Sequence, residues 1–304
     1  MNSASFRHVA ASLFLVFAVS ANAESDIDRL VAQTGIELGD VALRDHPGWR
    51  TPTKIVLLDL GFPLDDIRAA LPDVEIVAVQ SMQELVEKAP GADAVLGWCT
   101  PGFAAAEDAI WIQGFTAGVE RCLAVERIAN RSAVLTNMQK MSSPVIAEHM
   151  VAMMLALARG LPQYAKAMPE GGWSENYGTV DGMQSIAGKR LLVVGLGGIG
   201  TEIARRGAAL GMRVSATRRS SREGPDFVEY VGLSNELHEL AAEADFIINA
   251  LPLTPATRGI FNAEFFDAAK RGAHFLNVGR GASVVTDDLV AALESGQIAG
   301  AGLD

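Results

Sequence analysis

The sequence predicts an α/β protein built from two doubly wound parallel-sheet domains. Three observations carry that prediction. Apolar strand-like runs alternate with helical runs along most of the chain, which implies parallel sheets covered on both faces. A long helical segment, apolar on nearly every side, stands between two such series. The 304 residues give room for two domains of ordinary size.

In the first series, Thr53 to Leu60 (TKIVLLDL) reads as a buried strand and PLDDIRAAL as the helix after it, with Pro63 suited to its first turn. Val74 to Val79 is the next strand, SMQELVEKA the next helix and ADAVLGW the third strand, and IWIQGF and AVLTNM continue the series. Pro144 to Arg159, PVIAEHMVAMMLALAR, has the pattern of a helix buried between layers or between domains. Glu148, His149 and Arg159 leave too short an uncharged run for a membrane span. Beyond the loop from Pro162 to Gly188, the strands RLLVV, MRVSAT, ADFIINAL and AHFLNV form the second series. QIAGAGLD, the last eight residues, reads as a buried strand just beginning. The predicted domains are 53–150 and 151–304, preceded by a lead-in over 24–52.

A net charge of −11 argues against a nucleic-acid or anionic-membrane surface, both of which favour clustered Lys and Arg. Cys99 and Cys122 have no metal-ligand spacing and are expected to be small buried hydrophobes rather than a disulfide. Residues 1–23 carry a positive start at Arg7, an apolar stretch from Val9 to Ser20 and the small residues Ala21-Asn22-Ala23. That is the layout of a secretory signal peptide. The mature chain is expected to begin near Glu24 and to be periplasmic or secreted, with no membrane association after cleavage.

Arg190 to Val194 runs into Gly195-Leu196-Gly197-Gly198-Ile199-Gly200, and TEIARRGAALG continues as a helix. Between a buried strand and an amphipathic helix, G-x-G-x-x-G has the context of a dinucleotide-binding loop. Gly195 permits the tight turn, Gly197 the close approach of pyrophosphate, and Gly200 close helix–strand packing. The helix N-terminus around Gly198 and Ile199 offers N–H groups to phosphate. About 20 residues further on, an acid would accept a bond from a free ribose hydroxyl. This chain instead reads Thr217-Arg218-Arg219-Ser220-Ser221-Arg222. Guanidinium groups and hydroxyls suit a 2′-phosphate, so NADP(H) is favoured and NAD(H) stays open.

With these residues in place, the chain resembles the D-isomer-specific 2-hydroxyacid dehydrogenases, which include glyoxylate/hydroxypyruvate reductases and phosphoglycerate dehydrogenases. VGLGGIG, GMRVSATRRS, ADFIINALPLTPATRGI, NVGRGASVV and AALESGQIAGAGLD look like successive motifs of that family, and GFTAGVER and SPVIAEHMVAMMLALAR are similar to its first domain. The resemblance implies a flavodoxin-like substrate domain, a Rossmann NAD(P)-binding domain and a homodimer. It implies hydride transfer between a nicotinamide ring and the 2-carbon of a small 2-oxo or 2-hydroxy acid.

Arg280, in NVGRG, matches the family's substrate arginine and is the catalytic candidate, since a forked cation engages both the carboxylate and the carbonyl of a 2-oxo acid. It ends a predicted strand, where ligands bind in open parallel sheets. Thr116-Ala117-Gly118 resembles the carboxylate-binding loop, which works through backbone N–H groups and places Ala117 and Gly118 at the substrate. Trp98 is either a wall of the pocket or an inward core residue. By resemblance, Leu251, Pro252, Val278 and Asp304 join the cofactor-binding positions, Asp304 on the nicotinamide side.

The family's proton-transferring His, its pKa raised by a Glu, lies downstream of a motif resembling AGLD. Here the sequence given ends at Asp304. Of the histidines present, His149 reads as a hydrogen-bonded core or interdomain residue. His238 and His274 read as surface or helix-flank positions, His46 falls in the lead-in and His8 in the signal segment. The expectation is a family reductase written without its C-terminal catalytic segment, and the alternative is a nucleotide-binding or interaction protein without turnover.

Overall fold

A computed structural model describes residues 42, 45, 49–99, 103, 105–130, 132–170 and 183–304. The expected signal peptide and most of the lead-in, with His8 and His46, lie outside the described residues. The chain divides into two compact units between Met141 and Ser142. The long apolar helix therefore belongs wholly to the second unit, where the sequence reading set the division at 150/151.

In the first unit, strands β1 (Lys54–Leu58), β2 (Glu75–Val79), β3 (Ala94–Gly97), β4 (Trp111–Gly114) and β5 (Val134–Thr136) form one sheet in the order β2-β1-β3-β4-β5. Every pairing is parallel. That order is the flavodoxin-like winding. Helices α1 (Leu64–Ala70), α2 (Met82–Lys88) and α3 (Glu126–Ala129) follow β1, β2 and β4. Ser81 caps α2 by accepting from Glu84 N. The apolar runs of β1, β3 and β4 bury nearly every residue, as strands covered on both faces must.

Cys99 and Cys122 correct the sequence reading. They are fully or almost fully buried, as expected, yet they form a disulfide between Cα atoms 4.8 Å apart. Neighbouring parallel strands explain the meeting. Cys99 follows β3, Cys122 follows β4 and its loop, and β3 pairs with β4.

In the second unit, α4 (Ser143–Ala158) and α5 (Leu161–Ala167) precede a six-stranded sheet: β6 (Arg190–Val194), β7 (Arg213–Arg218), β8 (Tyr230–Leu233), β9 (Phe246–Asn249), β10 (Ala273–Asn277) and β11 (Ile298–Leu303). The order is β11-β10-β9-β6-β7-β8, all parallel, which is the Rossmann winding. Its direction reverses between β6 and β9, so the ligand crevice belongs at the C-terminal ends of those strands. The sequence reading passed over β8, whose four residues include Gly232. QIAGAGLD does form a strand, and β11 pairs along β10.

Helix α4 buries Ser143, Ala147, Met150, Met154 and Ala158 along one stripe, whereas Val145 stays exposed. The stripe packs with Ile203 and Ala204 of helix α6 (Gly198–Ala209). Small residues in β11 let α4 approach the sheet. An added methyl at Gly302 would meet Met153 Cε at 2.7 Å, and one at Gly300 would meet Leu157 Cδ2 at 3.4 Å.

Two histidines bear on the sequence reading. His274 is no flank residue: it lies in β10 at 5% exposure, stacked on Phe246 of the neighbouring strand with centroids 5.0 Å apart. Burial lowers its pKa, against a smaller opposing pull from Asp245. His149 is no core residue: its side chain is 53% exposed, with Nε2 3.6 Å from Asp304 Oδ1.

Candidate active site

The nucleotide loop is shaped by its glycines. Gly195 adopts φ +98°, which an L side chain rarely takes, and a methyl there would also press on Ala250 at 3.2 Å. Gly200 opens into the same tight corner, since its methyl would collide with the Gly195 carbonyl oxygen. Nothing stands within 4 Å of a methyl at Gly197, so that position leaves open approach to the backbone. Helix α6 starts at Gly198 and directs its first N–H groups towards this turn.

Beside the loop lies a cleft of about 640 Å³ at the C-terminal ends of β6, β7 and β9. Val194, Gly195, Leu196 and Gly197 form one part of its wall, Thr217 to Ser221 a second, and Leu251 and Pro252 a third. Arg218 stands half-buried in the polar wall, its Nε without a hydrogen-bond partner among the described residues. A glycine cradle at a helix N-terminus, a basic polar wall and an apolar wall together fit a nicotinamide dinucleotide.

Arg222 departs from the sequence reading. It turns away to Glu236 and Tyr230, donating from Nη1 to Tyr230 Oη at 2.7 Å and to Glu236 Oε2 at 3.1 Å. Tyr230 Oη also donates to Glu236 Oε2 at 2.5 Å. Arg222, followed by the tyrosine hydroxyl, holds the Glu236 carboxyl down to about 2. The phosphate candidates are thus Arg218, Arg219 and the serines beside them, while Arg222 braces the end of the loop.

Arg280 follows β10, the strand beyond β9 in the same sheet, and its Nη1 donates to Gly279 O at 2.8 Å. Its carbonyl accepts from Ser283 Oγ at 2.6 Å and Asn277 Nδ2 at 3.4 Å. The sequence model of the D-isomer specific 2-hydroxyacid dehydrogenase NAD binding domain matches residues 151–304, which contain this cleft and Arg280.

The chain belongs to the D-isomer specific 2-hydroxyacid dehydrogenase family.

Within this family, the human glyoxylate reductase/hydroxypyruvate reductase is 37% identical over 204 residues, 64% of this chain and 58% of its own. The chain spans about half the length of the curated relatives it matches. Among solved structures, a D-isomer specific 2-hydroxyacid dehydrogenase family protein from Aeromonas salmonicida is 30% identical at a TM-score of 0.73, covering 84% of this chain and 81% of that one. The NADPH-dependent glyoxylate/hydroxypyruvate reductase from Sinorhizobium meliloti, solved with NADP and sulfate, is 27% identical at a TM-score of 0.68, covering 83% and 80%.

In this dehydrogenase-family chain the cleft gathers Gly195, Gly197, Thr217, Arg218, Arg219, Ser220, Leu251 and Pro252. Gly198, Ile199 and Gly200 lie in the first turn of α6 instead, and Val278 is a buried residue of the core. Asp304 stands at the end of β11, its N–H donating to Asn277 O at 3.1 Å. Sequence reasoning passed over Ser234 and the Thr254–Thr257 turn as cleft residues. The turn had a local signal: Thr257 Oγ1 accepts from Thr254 N at 2.8 Å, the hydroxyl chemistry that T-P-A-T after a strand invites.

The remaining family-derived positions are in the first unit. Trp98 is 39% exposed and meets Phe115 edge-on at 6.1 Å, which sets aside an inward core role. Thr116 Oγ1 donates to Gly118 O at 2.7 Å, and Asn137 Nδ2 to Ala117 O at 2.8 Å. With Met138 N donating to Thr116 O at 3.2 Å, all three carbonyls of the loop are occupied and its backbone geometry is fixed.

Proposed function

We propose that the chain carries the cofactor- and substrate-binding residues of a reductase of small 2-oxo acids of the glyoxylate or hydroxypyruvate type using NADP(H), hydride passing between nicotinamide C4 and the 2-carbon while the carbonyl oxygen takes its proton from the His that the family places downstream of its AGLD-like motif. The observation that carries this reading is the shared cleft of the glycine loop and the Thr217–Ser221 wall. When bound, the cofactor supplies or accepts the hydride. The α6 N-terminus holds phosphate through its N–H groups, and Arg218 and Arg219 take the 2′-phosphate. The Arg280 guanidinium orients the 2-oxo acid by its carboxylate and carbonyl. By family resemblance, Thr116-Ala117-Gly118 is a carboxylate-binding loop working through backbone N–H groups. The similarity to an NADPH-dependent reductase solved with NADP supports the choice of cofactor. The test is titration of the purified chain with NADPH and NADH, then with glyoxylate in the presence of NADP⁺. We expect NADPH to bind about tenfold tighter or better. Equal affinities would remove the 2′-phosphate reading, and tight nucleotide binding with no affinity for any 2-oxo acid would make the chain a nucleotide-binding protein.

We also propose that the protein is exported and works as a homodimer outside the cytoplasm. The order of charged, apolar and small residues over 1–23 supports export, and so does the Cys99–Cys122 disulfide, because such bonds persist in oxidising compartments. Family resemblance supports the dimer. A reporter enzyme active only outside the cytoplasm, fused behind residue 30, should be active, and sedimentation should give twice the chain mass.

A further inference from the structure

We propose that Asn249, Asn277 and Ser283 are positioning residues that hold the Arg280 loop and the Leu251 wall of the cofactor cleft at a fixed separation. The proposal rests on the reading of Arg280 as the substrate-orienting cation. Asn249 ends β9 and Asn277 ends β10, and the two are register partners, so their amides face each other where both chains leave the sheet. They are buried to 0% and 4% exposure, and Ser283 to 1%.

Asn249 uses both hydrogens and the oxygen of its amide. Its Nδ2 donates to Asn277 Oδ1 at 2.8 Å and to Ser283 Oγ at 2.9 Å, and its Oδ1 accepts from Leu251 N at 3.0 Å. Asn277 Oδ1 also accepts from Gly279 N at 2.9 Å, and its Nδ2 donates to Arg280 O. Ser283 Oγ completes the circuit by donating to Arg280 O at 2.6 Å. Three donors converge on that one carbonyl, the third being Ser283 N at 3.0 Å.

A network satisfied to this degree in the dry interior is rigid, and it spans both functional walls. One end fixes Leu251 N, at the cleft; the other fixes Gly279 N and Arg280 O, on either side of the arginine's Cα. Close packing makes the spacing unforgiving, because a methyl on Gly279 would fall 2.7 Å from Leu251 O and 2.8 Å from Asn249 Nδ2. A hydride must cross between a group held in the cleft and one held by Arg280. Fixing those walls relative to each other therefore acts on substrate placement more than on nucleotide affinity.

The experiment compares the 304-residue chain with Ser283→Ala and Ser283→Thr. It measures NADPH affinity, the affinity for oxamate (a non-reducible 2-oxo acid analogue) in the presence of NADPH, and amide exchange at Leu251 and Gly279. Ser283→Ala should weaken oxamate roughly tenfold to a hundredfold and leave NADPH within about twofold, and Ser283→Thr, which keeps the hydroxyl, should recover most of the loss. Exchange at Leu251 and Gly279 should be as slow as in β9 and β10 in the unsubstituted chain and faster in Ser283→Ala. Unchanged oxamate affinity, or an equal loss of NADPH and oxamate, would overturn the positioning role. If the unsubstituted chain binds NADPH but no oxamate, the reading of Arg280 falls, and exchange alone decides whether the network fixes the loop. Should Ser283→Ala not fold, fast exchange at Gly279 in the unsubstituted chain would overturn the proposal, and slow exchange would support it.

Discussion

Cys99 and Cys122 are joined across Cα atoms 4.8 Å apart, and Gly114 makes the room. A methyl at Gly114 would sit 2.9 Å from Cys99 Sγ and 3.7 Å from Cys122 Sγ. The bond closes a loop of sequence separation 23 that contains β4 and Ala117–Gly118. Loop-closure entropy of that size is worth about 3 kcal/mol. Denaturant unfolding should show that loss in Cys99→Ser, and reductant should destabilise the unsubstituted chain but not the variant.

Arg218 and Arg219 lie in the cleft wall beside Ser220 and Ser221. Replacing both arginines by Asp puts two carboxylates where the proposed phosphate binds. NADPH affinity should fall by roughly a hundredfold, as two charge-assisted contacts are lost and repulsion added, with a far smaller change for NADH. Fluorescence titration with the two nucleotides checks the ratio.

Gly200 faces the Gly195 carbonyl and lies 3.1 Å, by its added methyl, from Val193 Cγ1. The obstacle is backbone, which cannot swing aside as a side chain can. Gly200→Ala should cost about 3 kcal/mol of stability in the second unit and abolish nucleotide binding. Gly197→Ala, with open space around it, should keep the stability and weaken only the nucleotide. Thermal unfolding and NADPH titration of the two variants separate the roles.

Asp93 gathers donors at the start of β3. Thr53 Oγ1 lies 2.7 Å from Oδ2, Thr53 N 2.8 Å, and Arg50 Nη2 2.7 Å from Oδ1. Burial alone would raise its carboxyl, but these donors outweigh it and hold the pKa well below the ordinary 3.8. The unfolded chain therefore takes up the proton first, so the contribution is present above about pH 4 and is lost as pH falls towards the folded value. Asp93→Asn should cost about 2 kcal/mol at neutral pH. Its deficit should shrink in unfolding curves taken below about pH 4.

Local information carried much of this molecule and stopped where neighbours in space are distant in the chain. Strand runs such as KIVLL and RLLVV announce themselves because both faces are buried, and G-x-G-x-x-G because its glycines follow such a run. The disulfide was hidden because nothing near Cys99 or Cys122 reveals that β3 and β4 are neighbours. His274 read as a flank residue because its stacking partner, Phe246, lies on the adjacent strand. Arg222 looked free for phosphate because Glu236 is 14 residues away. A subtler signal was present in FIIN and HFLN: two buried strands each ending in Asn, polar groups that such positions tolerate only when paired.

The close seat of α4 on β11 sets an order of events in synthesis. Met153 and Leu157 rest against Gly302 and Gly300, about 150 residues later in the chain. A ribosome releases that helix long before the strand it covers, so the second unit can close only after Leu303 has emerged. Until then the Met153 and Leu157 side of α4 stays uncovered. For a polypeptide threaded unfolded through a translocation channel, late closure keeps the chain competent for transport until it is across.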